Sequence, residues 1–139
     1  MVAQTANPGN WGLSIRLGAR VGLIVTGSGH VILAFQSAQQ RGEMLAAHEA
    51  MDAVDGEVPI ARHELDAVLA ELRHQRFWRA ESQQAFGVTD ISVPVLGPNG
   101  AAHAVLTCPY VKRIDRHPGL DLVAACEMLQ KAAQGLGLE

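Results

Sequence analysis

An α/β (α+β) fold, with a mainly antiparallel sheet flanked by helices, is what this sequence predicts, and three observations predict it. Residues 61–75 carry an apolar stripe at helical spacing, residues 88–96 and 101–109 are two extended runs around one turn, and residues 118–136 return to helical spacing. The 139 residues fit a single domain, 1–139, and 48% hydrophobic content supplies enough apolar side chain for one core.

Taken in order, Asn7-Pro8-Gly9-Asn10 reads as a turn. Leu13, Ile15 and Leu17 then alternate with Ser14, Arg16 and Gly18, the period of a half-buried strand. An apolar run over 21–25 ends at Thr26-Gly27-Ser28-Gly29, and Val31, Ile32, Leu33 and Phe35 after it predict a buried helix. Ser28 is its expected N-cap, because a hydroxyl there accepts from an otherwise unpaired first-turn amide. Residues 36–53 predict a second helix, with Met44, Leu45 and Ala47 as its apolar contacts, and 52–59 a loop. Leu65, Val68, Leu69 and Leu72 fall at i, i+3, i+4 and i+7, while Glu64, Glu71 and Arg73 fall elsewhere, which predicts an amphipathic helix over 61–75.

Phe77 and Trp78 begin a short strand. In Gly97-Pro98-Asn99-Gly100, proline presets the first turn angle and Asn then Gly tolerate the later ones, so the runs on either side predict a β-hairpin. Ile91, Val93 and Val95 form one face of its first strand; Val88, Asp90 and Ser92 form the other, which is unusually polar. A last helix is expected from Pro118, with Leu122, Cys126, Leu129, Ala133 and Leu136 down one face to Gly137.

Composition excludes several functions. Charged residues make up 18% of the chain, the formal net charge is −3 and the basic residues are scattered, so the chain alone is expected to bind DNA poorly. No run of about twenty apolar residues is present to span a bilayer, and the opening residues lack a secretion signal. Cys108 and Cys126 form no CxxC, and His48, His63, His74, His103 and His117 show no ligand spacing. A thiol-reduced, cytoplasmic protein without metal or cofactor is the expectation.

Binding chemistry concentrates in two places. In Thr26-Gly27-Ser28-Gly29, small residues let a ligand approach the backbone and the amides opening a helix favour an anion. The same residues also suit a cap that merely turns the chain. No phosphate loop of the GxxxxGK[ST] type is present. The second place is the hairpin. An Asp90 carboxylate among apolar neighbours must be solvated, paired or turned to a polar cavity. An even loop of two or four residues pairs Asp90 with Thr107, whereas a three-residue loop with a bulge pairs it with Cys108. Only one of these can face the cavity. Thr107 is the preferred one, with Cys108 a buried, inert thiol.

The stretches Leu17-Gly18-Ala19-Arg20-Val21-Gly22-Leu23-Ile24-Val25-Thr26-Gly27-Ser28-Gly29-His30-Val31-Ile32-Leu33-Ala34-Phe35 and, within 77–113, Gly87-Val88-Thr89-Asp90-Ile91-Ser92-Val93-Pro94-Val95 resemble the effector-binding domain of the IclR family of transcriptional regulators. That resemblance implies a GAF-like sheet that holds a small organic acid, performs no catalysis and tunes a winged helix-turn-helix. It implies ligand contacts at Thr26, Gly27 and Ser28, polar contacts at Asp90 and at Thr107 or Cys108, and apolar lining from Leu13 and Val88. His30 stands where the family often has Lys and reads as an exposed helix residue; Ala80 stands where some relatives place an Asp. Val2-Ala3-Gln4 is similar to the tail of the family's second effector-domain strand. A first strand and the DNA-binding domain are therefore expected to be missing from this chain. A sheet short of a strand favours pairing with another copy, as a dimer or tetramer. Two alternatives stay open: a thiol-dependent enzyme using Cys108 with Asp90 and His30 or His103, and a purely dimerising domain whose pocket is filled by side chains.

Overall fold

A computed structural model of the chain describes residues 3–4, 16–51, 60–82, 86–111 and 120–137. The small-residue run does open a helix, α1 (Gly27–Ala34), but its N-cap is Thr26 rather than Ser28. Thr26 has extended backbone angles (φ −115°, ψ 149°) and its side chain accepts from the Gly29 amide, so Ser28 is already inside the first turn. Helix α2 (Ala38–Glu49) is shorter than expected because Ser37 and Gln40 cap each other reciprocally at its start. Of its expected contacts Leu45 is buried and Met44 half-buried, while Ala47 points outward. Helix α3 (Arg62–Gln75) follows its stripe, burying Leu65, Leu69 and Leu72, and ends at Arg76 in the left-handed conformation.

Strands β1 (Trp78–Glu81), β2 (Val88–Leu96) and β3 (Ala102–Val111) pair antiparallel in the order β1-β2-β3, and helix α4 (Leu122–Leu136) follows. Asp121 caps α4, its side chain accepting from the Ala124 amide. Cys126 and Ala133 are buried as the stripe predicted, but Leu136 is exposed; Gly137 is what lies close to the sheet, beside the Leu96 carbonyl. The strand expected over 13–17 falls mostly outside the described residues, as do Leu13, the 52–59 loop and Pro118. Leu17 itself sits in a turn closed by the Ala19 amide on the Arg16 carbonyl (3.0 Å), with Gly18 at φ +82°.

The hairpin register corrects both sequence-based pairings. The Gly97 amide bonds to the Ala101 carbonyl (2.9 Å), so the loop has three residues, with Gly100 left-handed at φ +74°. That alone would set Asp90 opposite Cys108. A bulge then intervenes: Leu96 pairs with Ala102 but Val95 with Ala104, leaving His103 over. Asp90 therefore faces Pro109, Ser92 faces Thr107, and Ile91 faces Cys108.

Because side chains alternate along a strand, this register sorts the sheet into two faces. Trp78, Ala80, Val88, Asp90, Ser92, Val105, Thr107 and Pro109 share one; Ile91, Val93, Leu106 and Cys108 share the other. Trp78 and Val105 pack against the core built by Val31, Leu33 and Ala34 of α1, Leu45 of α2 and the α3 leucines. Helix α4 covers the opposite face. The middle of β2 is consequently buried on both sides, with Ile91, Ser92 and Val93 at most 1% exposed. The far end of α1 is tied down as well. Arg73 Nε donates to the Ala34 carbonyl and its Nη2 to the Gln36 carbonyl (2.9 Å), while the Ala102 amide donates to Phe35 (3.1 Å).

Candidate ligand-binding site

The site is built where the opening turn of α1 meets the Asp90 face of the sheet. One hydroxyl organises the turn. Thr26 Oγ1 donates to the Gly22 carbonyl (2.6 Å) and accepts from the Gly29 amide (3.0 Å). Its single proton being spent, the 3.2 Å contact with Ser28 Oγ has Ser28 as the donor. The amides of Gly27 and Ser28, first and second in the helix, have no intrahelical acceptor, as helix geometry requires.

The two glycines serve packing. A Cβ at Gly27 would lie 2.1 Å from Cδ1 and 2.3 Å from Nε1 of Trp78, so the indole rests on the Gly27 backbone. A Cβ at Gly29 would lie 2.2 Å from the Leu23 carbonyl oxygen, so that residue must be small where the preceding turn crosses it. The expectation that Gly27 leaves room for a ligand is thus corrected on this side: the room holds an aromatic ring.

His30 also departs from expectation. It is 7% exposed, its Nε2 donates to the Ile24 carbonyl (2.8 Å), and its ring meets Trp78 edge-on at 5.2 Å between centroids. Nε2, facing a carbonyl, carries a proton, and Nδ1 is buried and unpartnered. The spacing Gly27, His30, Val31, Ala34 is i, i+3, i+4, i+7, which placed His30 on the inward stripe and would have identified it.

On the sheet, Asp90 is half-buried between Ala80 and Pro109. Ser92, which sequence reasoning noticed only as part of a polar face, is 1% exposed and shares a 2.9 Å hydrogen bond with Thr107. Val88 is buried at the end of the same face. Thr26, Gly27, Ser28, Val88, Asp90 and Thr107 are therefore brought to one side of the molecule, joined by Trp78; Leu13 lies outside the described residues. Cys108 is not brought there. It points to the α4 side, where burial, then Cys126, then Asp90 push its thiol above the ordinary value.

That placement separates the parts of the thiol-enzyme alternative. His30 is on the other side of the sheet, the His103 ring lies over Gly97, and a raised thiol pKa is the reverse of an activated nucleophile. Among the described residues no three His, Cys, Asp or Glu side chains cluster to hold a metal, and no helix is long and apolar enough to cross a membrane. Among the described residues, hollows lie elsewhere. One of about 160 Å³ is lined by Ile24, Leu45, His48, Ile60 and Leu65, and an open groove of about 360 Å³ lies between Gln36, Ser37, Arg73 and Asn99.

No family model and no curated protein matches this chain. Solved structures do. An IclR transcriptional regulator from Alicyclobacillus acidocaldarius superposes with a TM-score of 0.73 at 18% identity, over 97% of this chain and 53% of that one. An IclR homologue from Microbacterium hydrocarbonoxydans, complexed with 4-hydroxybenzoate, gives 0.62 at 20% identity, over 91% and 49%. The inducer-binding domain of a double mutant of PobR from Acinetobacter, complexed with 3-hydroxybenzoic acid, gives 0.57 at 21%, over 85% and 66%. The chain spans about half the length of the first of these structures and shares the α+β, GAF-like fold of the IclR effector-binding domain.

Proposed function

We propose, from that shared fold, that this chain is the ligand-sensing domain of an IclR-type transcriptional regulator, that its ligand is a small organic acid carrying a hydroxyl or similar donor, and that it is not an enzyme. One observation carries the reading: buried Ser92, half-buried Asp90 and exposed Thr107 share one sheet face, on the side that looks toward the start of α1. Ser92 and Thr107 satisfy each other, which leaves the half-buried Asp90 carboxylate as the acceptor on this face that a ligand donor can reach. A ligand carboxylate suits the free amides of Gly27 and Ser28. Asp90 would repel that carboxylate and welcome a hydroxyl at the other end. Hydroxybenzoates, held by two of the structural neighbours, have both groups and are the class to try first.

Such a domain acts on DNA through a separate winged helix, in the cytoplasm, as a dimer or tetramer. Ligand changes the subunit arrangement only through a difference in affinity for two arrangements. Thermal melts with benzoate, 3- and 4-hydroxybenzoate and aliphatic hydroxy acids test the ligand class. At least one hydroxylated acid should raise Tm more than its unhydroxylated parent, and a flat panel counts against sensing. Sedimentation at tens of micromolar should show self-association rather than a monodisperse monomer.

A second reading, a dimerising domain with a filled pocket, has the Trp78 ring on Gly27 in its favour. In a Trp11→Phe background, Trp78 emission separates the two. A ligand entering beside Gly27 displaces the indole and shifts its spectrum; a filled pocket leaves the spectrum unchanged under every acid.

A further inference from the structure

The ligand face uses neither cysteine, yet the fold brings both to the same place. Cys108 points from β3 toward α4, and Cys126, 6% exposed, lies on the buried stripe of α4. Two fixed points set the helix along the strand: Tyr110 Oη donates to the Leu120 carbonyl (2.9 Å) at one end, and Gly137 lies against the Leu96 carbonyl at the other. From Leu122, its first residue, to Cys126 the helix advances by about 6 Å. From Tyr110 to Cys108 the strand advances by about 7 Å in the same direction. Both cysteines therefore lie toward the Tyr110–Leu120 end of the interface, on the facing surfaces of β3 and α4. The buried residues of α4, Cys126 and Ala133, are small, which lets helix and sheet approach closely. The charge of one thiol is felt at the other.

We propose that Cys108 and Cys126 are a facing thiol pair that, at alkaline pH, a low-molecular-weight disulfide oxidises to an internal disulfide, riveting α4 to β3. Cys108, the half-exposed member, reacts first. Its thiolate attacks one sulfur of the oxidant, forming a mixed disulfide and releasing one small thiolate. Cys126, as thiolate, then attacks the Cys108 sulfur, forming the internal bond and releasing the second small thiolate. Two protein thiols are oxidised, one small disulfide is reduced to two thiols, and the two cysteine protons pass to the departing sulfurs. The bond needs the two Cα atoms within about 7 Å of each other, which is the requirement the experiment tests.

The test treats the reduced chain with excess glutathione disulfide at mildly alkaline pH, quenches with alkylating agent and maps the peptides without reduction. The expected result is a linked peptide pair containing Cys108 and Cys126, with both thiols lost to alkylation in parallel and restored by dithiothreitol. Cys126→Ser should stop at a stable glutathione adduct on Cys108, and Cys108→Ser should leave Cys126 almost unreacted. Wild-type protein that ends as a Cys108 adduct with Cys126 still alkylatable, that links only between chains, or that does not react at all overturns the proposal.

Discussion

The Thr26 hydroxyl decides where α1 begins, because it satisfies a donor and an acceptor that would otherwise be orphaned on the two sides of the cap. Thr26→Ala should cost about 1 kcal/mol in urea unfolding, and Thr26→Ser should recover most of it, since Ser keeps the oxygen. A loss under a few tenths of a kcal/mol would mean that water caps this turn equally well. Cys108 allows a pH test. Burial favours its protonated form, so its folded pKa lies above the unfolded one. The stability this gives is complete below the unfolded value, about 8.5, and fades as pH rises through the folded value. Under reducing conditions wild type should lose stability relative to Cys108→Ser as pH climbs past that range, with no divergence at neutral pH. Parallel curves would place the thiol in solvent.

Elements were legible where one local signal sufficed. The α3 stripe and the bounds of β2 came straight from periodicity, and the turn chemistry of Pro98-Asn99-Gly100 located the hairpin. Register was not legible, because the extra residue at His103 is set by how the hairpin tip meets α1. There the Ala102 amide bonds to the Phe35 carbonyl, and Gln36 Nε2 donates back to the Ala102 carbonyl (2.7 Å). Arg73 is the clamp behind this junction, since its guanidinium holds the Ala34 and Gln36 carbonyls on either side of Phe35. Arg73→Ala should cost about 1 kcal/mol, the low end for charged hydrogen bonds because the side chain is largely exposed. It should also speed hydrogen exchange at the Ala102 amide more than at amides in mid-β2. Arg73→Lys should restore little, because a single ammonium cannot span both carbonyls. Unchanged exchange at Ala102 would detach the clamp from the register.

At the scale of the molecule, the site was half legible. The small-residue run and the polar strand face were both visible, but nothing local said that a tryptophan from β1 would lie between them, since that contact joins positions far apart in sequence. His30 went unread for a related reason: its burial follows from the ring of Trp78 beside it, although its helical spacing already pointed inward. The contact between Gly27 and Trp78 thus couples the helical layer to the sheet, and a double-mutant cycle measures that coupling. In Gly27→Ala the new methyl would overlap the indole, and the helix or the ring must give way, at about 1–3 kcal/mol. Trp78→Leu alone removes packing from the core and should cost a similar amount or more. Combined, the two should cost less than their sum by at least about 1 kcal/mol, because the atoms nearest the alanine methyl all belong to the indole that is removed. If the costs instead add to within about 0.5 kcal/mol, the indole is not seated on Gly27 in solution. The start of α1 would then be open to a ligand without any movement of the ring.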